Sequence, residues 1–113
     1  MYIKVVNIEQ GMPSVLIAKN RLTHQLFTSK RCGEKVIKVI HGYGSSGKGG
    51  AIKRAVISVL NEQLTKGSIK GFVNGENFSP FSEETRKLLS LYPDITRDHD
   101  YSRGNDGITI IWF

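Results

Sequence analysis

The sequence predicts a single α/β domain: a two-layer α/β sandwich with a βαβα core, further C-terminal strands and a short inserted helix. Three observations carry this. Apolar runs of strand length alternate with stretches of helical periodicity, the pattern of strands covered by crossover helices. A chain of 113 residues suits one core rather than two. No internal repeat or low-complexity linker divides it, so residues 1–113 are read as one unit.

Tyr2 to Ile8 reads as the first strand, with β-branched Ile3, Val5 and Val6. Gly11 and Pro13 break it, and Ser14 is a good N-cap for a helix in which Leu16, Ile17, Leu22, Leu26 and Phe27 recur near helical spacing until Cys32-Gly33. Val36 to Ile40 is nearly all β-branched and suits a central strand covered on both sides. Ile52, Ala55, Val56, Val59, Leu60 and Leu64 mark one face of a second helix, with Gly67 at its C′ position. Ile69 to Val73 is a third strand, and "ITIIWF" after Gly107 is a strong last one. Between them "FSEETRKLLSLYPD" predicts a short helix, capped by Ser82 and stopped by Pro93, that serves as a lid or covers a sheet edge.

Apolar residues at 39% and charged residues at 23% exclude a disordered or fibrous chain. No apolar stretch approaches the ~18 residues of a membrane span, and the N-terminus lacks signal-peptide layout, so a cytoplasmic location without membrane contact is expected. Cys32 is the single cysteine, in keeping with a reducing compartment. The net charge of +6 points to a polyanionic partner. Its distribution says more: residues 1–73 hold 12 basic and 3 acidic side chains, and residues 74–113 hold 4 and 7.

The basic part contains "HGYGSSGKGG", His41 to Gly50, between the second strand and the second helix. Three readings compete. Gly42, Gly44 and Gly47 match the dinucleotide fingerprint, but the ribose-binding acid expected about twenty residues later falls on Glu62, inside a helix. Gly42, Gly47 and Lys48 match a phosphate loop as far as the lysine, after which Gly49 stands where a Ser or Thr should hold magnesium. The third reading is a cradle for nucleic-acid backbone. Glycines let the main chain approach a phosphodiester, and a helix N-terminus supplies free N–H donors. Lys48, Lys53, Arg54 and Lys38 would add salt-sensitive phosphate contacts, and Ser45 and Ser46 suit phosphate hydrogen bonds. Tyr43, and Tyr101 beside Arg103, could stack on unpaired bases.

At "VIHGYGSSGKGGAIKRAV" the chain resembles the Smr domain, the small MutS-related domain. In that family a central strand is followed by His or Thr, Gly-x-Gly and a helix; His41, Gly42, Tyr43 and Gly44 fit. The closing "NDGITIIWF" resembles the family's last strand. The resemblance implies a sandwich similar to the C-terminal domain of bacterial translation initiation factor three. It also implies binding to DNA or RNA and, in several branches, endonuclease activity. Many members carry Asp-x-His after the first strand; here Asn7 stands for the Asp and Glu9 for the His. Asn7 has no titratable carboxylate, so binding, to RNA or ribosomes among other targets, is the safer inference and cleavage stays open.

If cleavage occurs, His41 would transfer the proton, with Glu9 as a second such group and Lys48 with loop amides stabilising the phosphate charge. No cofactor is required. "DHD" at Asp98 to Asp100, with Asp106 nearby, is a weak divalent-metal signal, since loops carry such residues simply for their polarity.

Overall fold

The computed structural model describes residues 1–42 and 48–113, with the backbone alone at Lys48 and Gly49. In chain order it contains β1 (Lys4–Asn7), α1 (Val15–Arg31), β2 (Val36–Ile40), α2 (Lys48–Thr65), β3 (Gly71–Asn74), α3 (Glu83–Leu91) and β4 (Ile108–Trp112). Short 3₁₀ turns lie at Gly75–Asn77 and Pro93–Arg97. Among the described residues no helix is long and apolar enough to cross a membrane.

The sheet is mixed, in the order β1-β2-β4-β3. β1 runs parallel to β2, while β4 enters antiparallel between β2 and β3, with Ile40 opposite Ile108 and Val36 opposite Trp112. β2 is the central strand that its β-branched run predicts. Two crossovers proceed in one direction along the sheet, so α1 and α2 pack side by side against one face, as crossovers of one hand require.

Helix α1 begins and ends as its cap residues dictate, and Gly67 after α2 has a positive φ of 76°. Ser14 Oγ accepts from Ile17 N at 3.2 Å, and Gly33 takes the left-handed conformation after Cys32. The buried stripe of α1 is Ala18, Leu22, Leu26 and Ser29. Leu16, Ile17 and Phe27, expected on that face, are exposed instead. Alternate apolar residues of the sheet meet this layer: Ile37, Val39 and Ile111 close a core with Leu22, Val56 and Leu60.

The opposite face of the sheet is covered too. Val36, Val73, Ile108, Ile110 and Trp112 pack against Phe78, Leu88 and Ile95, so the segment expected as a lid or edge cover is a third layer with its own core. Ser82 caps α3 as expected, its Oγ accepting from Thr85 N at 3.2 Å. Tyr101 belongs to this layer, its ring set edge-on to Phe78 with centroids 5.3 Å apart.

Candidate nucleic-acid interface

The parallel strands β1, β2 and β3 all end at one pole, where β4 begins; Glu9, His41, Gly42, Glu76 and Gly107 gather there. This is where open α/β sheets place ligands. His41 N and Gly42 N both donate to Gly107 O, at 3.0 and 3.1 Å, which ties the start of the glycine loop to the root of β4. Tyr43, Gly44, Ser45, Ser46 and Gly47 lie outside the described residues, as does the side chain of Lys48.

His41 has no exposed surface. Its Nε2 lies 2.8 Å from Thr109 Oγ1 and its Nδ1 3.1 Å from Gly42 O, and Thr109 Oγ1 lies 3.1 Å from the Asn74 side-chain amide. Burial pushes the His41 pKa down. The Gly42 carbonyl and Glu76 pull the other way and the Lys53 ammonium adds to the lowering, so the value ends below the ordinary one. The enclosed ring joins β2, β4 and β3 and helps to hold the pole together.

Gly42 has a φ of +85°, and a Cβ there would overlap the Glu9 carboxylate. The positive φ favours glycine there, and an added Cβ would also oblige the flexible Glu9 side chain to move. Gly42→Ala is expected to lower the unfolding free energy by about 1–3 kcal/mol in urea titrations, with Glu9→Ala restoring the steric part alone.

Two of the three predicted phosphate-binding lysines, Lys38 and Lys53, are ion-paired. Lys38, 7% exposed, donates to Asp98 Oδ1 and Asp100 Oδ2, both at 2.7 Å. Asp100 also accepts from Asn105 Nδ2 at 2.8 Å, so both of its oxygens are used. Lys53 donates to Glu76 Oε2 at 2.7 Å and to Asp106 O at 3.1 Å. Both ammoniums are thus held by acidic or carbonyl oxygens, partners that the sequence reading did not foresee. The reason is long-range: the acids that neutralise these two lysines come from the acidic C-terminal part of the chain. Arg54 and Arg103 are exposed and form no ion pair among the described residues. Tyr101, a candidate for base stacking, is engaged with Phe78.

Glu9, Gly42, Lys38, His99, Asp100 and Asn105 line a cavity of about 370 Å³ over β1 and β2. It brings together Glu9 and part of the "DHD" stretch, but the carboxylates of Asp98 and Asp100 face an ammonium instead of an open site. Among the described residues no three His, Cys, Asp or Glu side chains gather to hold a metal ion. The buried cluster of Lys38, Asp98 and Asp100 was the feature missed from sequence. Its signal was present: a lysine in the middle of "VIKVI", a strand covered on both faces, needs a buried counter-charge.

Comparison with family models, with curated proteins and with solved structures gives no match.

Proposed function

We propose that the chain is an Smr-like nucleic-acid-binding domain that grips polynucleotide without cutting it. What supports binding is the charge left over after pairing. Within residues 1–73, Glu34 and Glu62 are taken by Lys4 and Lys66, and Lys38 and Lys53 by acids from elsewhere. Lys19, Arg21, Lys30, Arg31, Lys35, Arg54 and Lys70 then stand exposed against Glu9 alone, among the described residues. An excess of this kind favours a polyanion and makes its binding salt-dependent. What favours retention over cleavage is the enclosure of His41, because a general acid or base must come within hydrogen-bond reach of the proton it moves.

The test is to incubate the full chain with labelled single- and double-stranded DNA and RNA, with and without magnesium, over a salt series. Retention that falls with salt and leaves the strand intact is the expected result. Cutting that disappears in His41→Gln would defeat the non-cleaving half of the proposal, and no retention at low salt would defeat the binding half.

A further inference from the structure

The pole opposite Gly42 carries the C-terminal turns of α1 and α2, the segment leading into β3, and the end of β4. They part around a groove of about 450 Å³, within the size of small-ligand clefts. Leu26, Phe27, Ile69 and Phe113 make its apolar walls, Thr23, Gln63 and Ser68 supply polar groups, and Lys30 and Arg31 stand at its side. Phe27 is 65% exposed, a large ring that the core of the domain leaves uncovered. Lys35 and Lys70 flank the same end, since their backbones hydrogen-bond to Phe113 and Trp112.

None of Lys30, Arg31, Lys35 and Lys70 has an ion-pair partner among the described residues, and the nearby acids Glu34 and Glu62 are paired at 3.8 and 2.9 Å. The carbonyl end of α1 offsets part of the charge of Lys30 and Arg31. Electrostatics alone would therefore hold an anion weakly there, and an exposed ring beside the cations gives the second contact. A flat apolar face, polar groups at its border and unpaired cations match the three parts of a nucleotide: base face, base edge and phosphate. A duplex hides its base faces, so the match is to a single strand.

We infer that this groove, and not the glycine-loop pole, is where a single-stranded polynucleotide docks, with a base on Phe27 and its phosphates toward Lys30 and Arg31. The inference rests on the nucleic-acid reading above and moves its main surface to the other end of the sheet.

The experiment measures fluorescence anisotropy of the full chain with labelled ten-nucleotide oligo-dT and oligo-U and with a duplex of equal length. The variants are Phe27→Ala, Lys30→Glu with Arg31→Glu, and Arg54→Glu at the glycine-loop pole. All four replaced side chains are exposed, and matched thermal unfolding checks the fold. Phe27→Ala is expected to weaken single-strand binding about tenfold. The double charge reversal should do at least as much and flatten the salt dependence, while Arg54→Glu has a smaller effect. Tight binding of either single strand that Phe27→Ala and the double charge reversal both weaken supports the groove.

If the wild type binds but only Arg54→Glu weakens it, the groove is refuted while the binding function stands. If the wild type binds no strand, both fail. Equal displacement of the strand by polyglutamate, with Phe27→Ala silent, would make the surface a site for acidic peptides and overturn the assignment. So would a duplex bound as tightly as a single strand.

Discussion

Lys38→Met will destabilise the protein by about 3 kcal/mol, a drop in melting temperature of roughly 15 °C for a domain of this size. The loss follows from what remains, because Asp98 and Asp100 keep their largely enclosed carboxylates with no cation between them. Adding Asp98→Asn and Asp100→Asn should return most of the stability, since an apolar or neutral replacement of a buried charge cluster costs little once no charge is orphaned. Urea titration of the single and triple variants checks this, and a triple variant no more stable than Lys38→Met would refute it.

The pH dependence has a definite sign. Burial raises the Asp100 pKa, but hydrogen bonds from Asn105 and Lys38 and the attraction of the ammonium outweigh it and hold the carboxyl below its ordinary 3.8. Its contribution is therefore present above that ordinary value and lost as pH falls through the lower folded one. Burial likewise works against the Lys38 charge, yet the two aspartates leave its pKa above the ordinary 10.5. That contribution is full below 10.5 and lost as pH rises through the folded value. In Lys38→Met the acid limb of the stability profile should flatten, since the lysine's hydrogen bond and charge no longer lower Asp100.

Removal of the His41 ring has the second large effect. His41→Ala should cost about 2–4 kcal/mol, part from the cavity and part from Thr109 and the Gly42 carbonyl losing their partner. His41→Gln keeps a polar group and should cost less. The folded pKa of His41 lies below its ordinary 6.5, so the neutral ring's contribution is complete above that value and declines as pH falls from it toward the folded pKa. Wild-type stability should thus decrease from about pH 7 toward pH 5, and His41→Gln should lose that part of the slope. An unchanged slope would mean that the ring is not held neutral.

Much of the architecture could be read locally. Strands and helices follow from β-branched runs, 3.6-residue periodicity and caps such as Ser14 and Ser82, because those signals lie within a few residues of the structure they cause. The place of β4 could not be read so, since strand order is decided by pairing between distant segments. The ion pairs could not be read for the same reason. Lys38 and Lys53 look like free cations in sequence, and their partners Asp100 and Glu76 lie far along the chain. Likewise Phe27 fits a helical apolar period, yet α1 turns it outward because the stripe Ala18, Leu22, Leu26 already meets the sheet and α2.

The position of β4 bears on how the chain acquires its shape during synthesis. β1, α1 and β2 can pair as soon as they emerge, but β3 has no neighbour in the sheet until Ile108–Trp112 arrives to fill the gap beside β2. Until then the exposed edges of both strands are open to wrong partners, and the last step is a long-range closure of the slow kind. Ribosome-bound nascent chains halted before residue 108 should therefore remain sensitive to protease at β3.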